Sequence, residues 1–493
     1  MRKYQYLLLL LCLPCLAAAG ALPGKRPNIV VILTDDQGYG DLGRHGNPVI
    51  KTPHLDRFYD ESVRFDDFHV SPTCSPTRSA LLSGKHEFKN GVTHTIRERE
   101  RMSLKTTTLA QVLKSAGYTT GIFGKWHLGD EDAYQPDKRG FDEVFIHGAG
   151  GIGQRFAGSC ADVPGNKYFD PIIKHNGRFV KTSGYCTDVF FEQAMKWIES
   201  VKGQKPFLAY IAPNAPHAPL DCPTEYEKIY ANTVKPNEAK FLGMITNIDD
   251  NVGKLLAKLK TLGLEKDTLV IFMNDNGGTA GCNIFNAGMR GHKGSANNGG
   301  TRAMSLWRWP GTLTPATCEK LVAHVDLLPT LAELAGAKTP DGLDGFSLVP
   351  LLENPQAAWH EDRMLFTHVG RWPVGAEPVK YGVCSIRWRQ YLMVREKNNW
   401  LLYDLKNDPG EKNDIAAQHP DIVAKLDKAY DRWWEEVLPC LENEQAYKNA
   451  PQIPPFVEQY YKQYGGSATE TASSKRRKTS STEAVNGGGS SPP

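Results

Sequence analysis

The run Asn28-Ile29-Val30-Val31-Ile32-Leu33-Thr34 ends abruptly in Asp35-Asp36, and no other feature restricts the possible folds as tightly. A continuous apolar, β-branched run without alternation is a strand covered on both faces, which is the property of parallel sheets sandwiched between helices. The pattern recurs. Thr119–Phe123 runs into Gly124-Lys125-Trp126-His127, Phe207–Ile211 into Pro213-Asn214-Ala215-Pro216-His217, and Thr268–Met273 into Asn274-Asp275-Asn276-Gly277-Gly278. Helical periodicity lies between them, at Thr107–Ala116 and Ile248–Leu262. The expected class is α/β, a largely parallel mixed sheet flanked by helices. Ligands in such folds bind beyond the carboxyl ends of the strands, so four polar clusters are expected to share one edge.

From about Glu361 the pattern changes to short runs, Tyr381–Ile386, Tyr391–Val394 and Trp400–Leu405, then a helix over Pro420–Val437. This reads as a smaller C-terminal α+β domain with an antiparallel sheet. The expected boundaries are 25–360 for the larger domain, 361–465 for the smaller, and 466–493 for a Ser/Thr/Gly-rich disordered tail. The basic run Lys475–Lys478 within that tail is a chance match to a nuclear signal in a chain that begins as this one does. Arg2 and Lys3, the apolar Leu7–Leu16 and the small residues Ala17–Ala21 have the order of a secretory signal, assigned to 1–19 and too short to span a bilayer. Export to the periplasm or the exterior is expected, with no membrane span. A net charge of +3 over 493 residues gives no reason to expect nucleic acid as a partner.

Of ten cysteines, Cys12 and Cys15 leave with the leader, and no C-x-x-C pattern argues for zinc. Cys160 with Cys186 is a plausible bridge, although connectivity is not readable from sequence. Cys74 stands in Cys74-Ser75-Pro76-Thr77-Arg78, followed by Ser79-Ala80-Leu81-Leu82-Ser83-Gly84-Lys85. Pro76 suits a first helical turn and Gly84 a helix end. Cys74 then lies at the positive end of a helix, with Arg78 four residues on and on the same face. An ordinary free or bridged cysteine is the alternative for this segment by itself.

Asp35 and Asp36 serve one site only where the strand ends and the chain bends. With Asp275 and Asn276 they form an all-oxygen set suited to a hard divalent cation, although each pair alone is also a common turn or cap. Lys125 and His127 face one side of an extended chain. His217 in its proline-stiffened loop and Lys293 between glycines are, taken singly, ordinary solvated residues. Trp307, Trp309 and Trp372 are candidate sugar-stacking surfaces, though such residues more often belong to cores.

Cys-x-Pro-x-Arg with its small-Gly-basic ending resembles the signature of the type I, formylglycine-dependent sulfatases, arylsulfatase-like members of the alkaline phosphatase superfamily. Leu402-Tyr403-Asp404-Leu405 resembles their C-terminal subdomain. The resemblance implies that Cys74 is converted to formylglycine by a maturing enzyme. It implies that Asp35, Asp36, Asp275 and Asn276, with the oxygen of modified Cys74, bind calcium, magnesium being the lesser choice. Arg78 would hold the aldehyde hydrate, Lys125 bridge hydrate and sulfate, and His127 assist breakdown. His217 and Lys293 would bind sulfate and protonate or stabilise the departing oxygen. One hydroxyl of the hydrate attacks sulfur and the second later expels sulfate, which a serine could not do. The implied function is removal of sulfate from an aryl or saccharide sulfate. Some relatives place a serine on the sulfate where this chain reads His147-Gly148-Ala149-Gly150-Gly151, a loop that would instead shape substrate choice. The rival readings are a phosphate or phosphonate monoester hydrolase of the same superfamily and a non-catalytic binder of sulfated glycans; a binder has no use for an oxidisable Cys74.

Overall fold

The computed structural model describes residues 22–466 apart from 157 and 159, so the leader and the tail lie outside the described residues. A ten-stranded sheet runs in the order 316–318, 63–65, 305–308, 268–274, 28–34, 207–212, 119–125, 143–147, 172–175, 178–181. Its five central strands, 268–274 through 143–147, are parallel. The flanking pairings at 305–308 and 172–175 are antiparallel, which makes the sheet mixed as the apolar runs imply.

Alternation along the central strand builds the layers. Ile29, Val31 and Leu33 point into one core with Leu81, Leu82, Leu109, Leu113 and the Leu327–Ala335 helix. Val30 and Ile32 point into the other, against the Cys186–Val201 and Pro236–Thr261 helices. Both sides are thus apolar, the reason the run shows no period of two.

The four-stranded antiparallel sheet follows, in the order 364–368, 384–388, 391–396, 399–404. Ile386, Met393 and Leu402 pack on Leu426, Tyr430 and Trp433 of the Pro420–Val437 helix. The three tryptophans are core: Trp307 and Trp309 in the first cluster, Trp372 in the C-terminal one. They present no stacking surface.

Cys160 and Cys186 are not bridged; all eight cysteines among the described residues are free. Their surroundings explain it. Cys160 Sγ accepts the Gly129 N–H at 3.2 Å, whereas Cys186 opens a helix and donates to Asn214 Oδ1 at 3.4 Å. No helix among the described residues is long and apolar enough to cross a membrane.

Candidate active site

The four polar clusters meet at the carboxyl edge of the parallel strands. Backbone direction makes this possible at two places. Asp36 has φ 69° and His127 φ 59°, left-handed values that end each strand sharply and turn consecutive side chains towards one point. The bend required at Asp35-Asp36 is therefore present. Cys74 opens the Cys74–Ser83 helix, which ends at Gly84 with φ 68°.

The acids lie together and buried: Asp35, Asp275 and Asn276 have no exposure, and Asp36 has 4%. Ligand atoms of Asp35, Cys74 and Asp275 lie within 4.8 Å of one another, as do those of Asp35, Asp36 and His217. Cations interleave them. Lys125 Nζ donates to Asp35 Oδ2 at 2.7 Å, and Lys293 Nζ donates to Asp36 Oδ1. Arg78 donates to Asp275 Oδ2 through Nε at 3.2 Å and Nη2 at 2.8 Å. The helical spacing places Arg78 beside Cys74, but its shortest hydrogen bonds go to a carboxylate at the end of another strand, with Nη1 donating to Lys125 O at 3.4 Å.

Burial raises Asp35 to about 6, against the pull of Lys125, and raises Asp275 to about 6 with help from Asp35. For Asp36 burial is outweighed by Lys293 and His217, and its pKa falls below the usual carboxylate range. Burial would also raise the Cys74 thiol, but Lys125 and Lys293 more than offset it and the pKa is lowered. Asp35 Oδ1 and Asn276 Oδ1 are buried without a hydrogen-bond partner. Orphan oxygens among crowded carboxylates are of the donor type that could hold a hard divalent cation.

The histidines are fixed by backbone carbonyls. His127 Nε2 donates to Thr95 O at 2.8 Å, leaving Nδ1 without a partner. His217 Nδ1 donates to Ala218 O at 2.7 Å, leaving Nε2 3.9 Å from Asp36 Oδ2. The 148–151 loop packs directly on both rings: a Cβ at Gly150 would stand 2.7 Å from His127 Cε1, and one at Gly151 2.8 Å from His217 Nδ1. A side chain at Gly150 or Gly151 has no room on this backbone.

Two contributors are not evident from the sequence pattern. His147 closes the Glu143–His147 strand, pairs in register with Lys125, and is buried with both ring nitrogens unpartnered. The same strand-end rule that marks Asp35 and Lys125 would have marked it. Tyr168 donates to the carbonyls of Asn214 and His217 at 2.9 and 2.6 Å, holding the His217 loop; nothing in its sequence surroundings signals that. A third group of metal-type ligands, His54, Asp249 and Asp250, lies elsewhere, and Asp249 caps the Pro53–Asp60 helix by accepting the His54 and Leu55 N–H groups.

A parallel sheet carrying acids, lysines and a helix-end cysteine at its carboxyl edge defines a class, hydrolases of anionic esters, and the comparisons specify it. The sulfatase family profile matches residues 27–337, and that of "N-sulphoglucosamine sulphohydrolase, C-terminal" matches 297–435. Arylsulfatase A of Homo sapiens is 30% identical, across 83% of this chain and 88% of its own length. N-acetylgalactosamine-6-sulfatase of Rattus norvegicus is 32% identical, across 87% and 90%. The crystal structure of Ps i-CgsB in complex with k-i-k-neocarrahexaose superposes with a TM-score of 0.74 at 29% identity, covering 85% of this chain and 94% of that one. The chain belongs to the sulfatase family, within the alkaline phosphatase superfamily. It is a sulfuric ester hydrolase.

Proposed function

We propose that the protein is an exported enzyme that removes sulfate from a sulfated saccharide, with Cys74 matured to formylglycine and a calcium ion held by Asp35, Asp36, Asp275, Asn276 and the oxygen of residue 74. The observation that carries this is the meeting of Cys74, three buried carboxylates and three cations at one sheet edge. The aldehyde hydrate would supply a nucleophile and the cation would supply charge neutralisation beside it. The chain's own residues do the rest. Arg78, Lys125 and Lys293 hold fixed positive charge around the site, where sulfate oxygens carry the developing load, and preorganised charge of this kind is often the largest catalytic contribution. His127 Nδ1 is a base available to a hydroxyl of residue 74. His217 Nε2 and the Lys293 ammonium face the departing oxygen. Gly150 and Gly151 let the backbone pack against the His127 and His217 rings, where a Cβ would collide with them.

Saccharide is preferred to a simple aryl group because N-acetylgalactosamine-6-sulfatase and the neocarrahexaose-bound Ps i-CgsB are among the relatives. Lysines as the cationic partners suit monoanionic sulfate; a second metal, as in phosphate monoester hydrolases, would need acids and histidines beyond the single cluster here. The decisive experiment pairs mass spectrometry of the tryptic peptide ending at Arg78 with kcat/KM on matched aryl sulfate and aryl phosphate. Aldehyde oxygen in place of sulfur and a preference for sulfate are expected. An unmodified thiol in fully active protein, or a preference for phosphate, would refute the reading.

A further inference from the structure

Beside the catalytic edge, residues 97–101 read Arg-Glu-Arg-Glu-Arg, and the fold treats the five charges unequally. Glu98, Arg99 and Glu100 are buried. Arg101 is turned onto Glu98 and Glu131. Arg97 is exposed. It stands at the tip of a loop closed by the Thr93 and His94 N–H groups on Arg99 O, at 3.1 and 3.4 Å, and Thr95 in that tip supplies the carbonyl that fixes His127.

The loop is also built against strain. Arg97 and Glu98 have φ 69° and 61°, consecutive left-handed conformations that a non-glycine residue keeps only where its surroundings impose them. What holds them is the C-terminal domain. Arg99 donates to Trp372 O at 3.1 Å and to Gly370 O, and pairs with Glu444 at 3.3 Å. Gly370 lies so close to Thr93 O that a Cβ would approach within 2.2 Å. Arg371, exposed, sits between the two residues whose carbonyls Arg99 grips. His94, half-buried, accepts the Thr95 N–H on Nδ1 at 2.7 Å, so as a neutral ring it carries its proton on Nε2 and remains a donor there. Burial, then Arg99, Arg371 and Arg97, push its pKa down to about 3, with His127 a further contributor. Arg97 lies two residues from Arg99, Arg371 lies between the residues whose carbonyls Arg99 grips, and the same loop holds His127 through Thr95 O, so the two exposed arginines share one small region with a catalytic histidine.

We propose that Arg97 and Arg371, with His94, form a subsite for a second anionic substituent of the saccharide, a sulfate or a uronate carboxylate near the scissile sulfate. This rests on the saccharide-sulfatase reading above and narrows it to doubly anionic substrates. Planar guanidinium forks fit either oxyanion, and a charge-assisted contact of this kind strengthens binding by about tenfold or more.

The test uses the full-length matured enzyme and three disaccharides: one with a single sulfate, one with two, and one with a sulfate and a uronate. Each is assayed as a competitor of 4-nitrophenyl sulfate and, separately, by calorimetric binding. Wild type should bind one or both doubly anionic sugars at least tenfold more tightly than the singly sulfated one, and whichever sugar shows the preference names the second group. In Arg97→Ala/Arg371→Ala, shown to be folded by an unchanged Tm, that preference should shrink at least tenfold, and in wild type it should weaken with added salt. Equal binding of all three sugars by wild type, or a preference that survives the double substitution, overturns the subsite. Absence of 4-nitrophenol release by wild type would instead count against the hydrolase reading, while the calorimetric comparison still decides the subsite.

Discussion

Replacing Arg78 by Met tests whether the site is held together by opposed buried charges. The guanidinium is 1% exposed and makes both of its short contacts to one carboxylate oxygen, Asp275 Oδ2. Met fills most of the volume but leaves Asp275 buried without those two donors and beside Asp35. Breaking a buried pair from one side costs about 3–5 kcal/mol, because the stranded charge keeps its full desolvation penalty. Unfolding entropy for a chain of this length is about 0.9 kcal/mol per degree, so Tm should fall by about 3–5 °C in scanning calorimetry. Activity on 4-nitrophenyl sulfate should fall by about 10²–10³, the usual loss when one preorganised charge is removed. The double variant Arg78→Met/Asp275→Asn separates the two effects. Removing both partners takes away the stranded charge, so most of the lost Tm should return, while activity should not. A Tm within 1 °C of wild type for Arg78→Met, or a double variant whose loss equals the sum of the single losses, would refute the account.

Cys74→Ser, verified to be unconverted, retains one oxygen at residue 74 with Arg78 and Lys125 in place. A single burst of at most one alcohol per enzyme is expected in a stopped assay, with a serine sulfate adduct by mass spectrometry; sustained turnover would exclude the two-hydroxyl mechanism. Glu100 accepts the Cys160 N–H at 2.6 Å, its other oxygen has no partner, and burial raises its pKa to about 7. The fold therefore keeps the proton while the unfolded chain loses it above about 4.5, so this group's contribution is complete below 4.5 and is lost as pH rises to about 7, roughly 3 kcal/mol in all. Glu100→Gln should flatten the fall in Tm between pH 5 and pH 8 and exceed wild type at pH 8; an unchanged slope would disprove the assignment.

The sheet was legible because burial on both faces leaves a mark that needs no partner to interpret, as in Asn28–Thr34. The Pro420–Val437 helix was legible for the complementary reason, a single apolar stripe with Pro at its start. The Pro236–Thr261 helix was read only from Ile248. Its first half buries Ala239, Phe241, Leu242 and Ile245 in a separate cluster with Ile50 and Tyr230, so the apolar face rotates midway and one periodic stripe does not describe both halves. Glu143–His147 leaves little trace in the sequence because it is five residues long and begins and ends on polar residues, Glu143 and a buried His147. Met364–His368 opens on only three apolar residues, Met364, Leu365 and Phe366, and all three are half-buried, too short a run to mark a strand by pattern alone.

Within the site, residue type was legible and pairing was not. Helical spacing sets Arg78 near Cys74, but that Asp275 holds it depends on the order of strands in the sheet. The histidines carry this further. Both rings have one nitrogen committed to a backbone carbonyl, and carbonyls leave no trace in a sequence. His127 spends Nε2 on Thr95 and His217 spends Nδ1 on Ala218, so they offer opposite nitrogens to the space between them. A neutral ring with its only N–H already engaged can accept a proton there but has none to give. In the proposed reaction this separates roles that the resemblance leaves joined: the histidines are the acceptors, and Lys293, whose ammonium Asp36 keeps protonated, is the group able to meet the departing oxygen with a proton. His217 acts as an acid only after it has first received one.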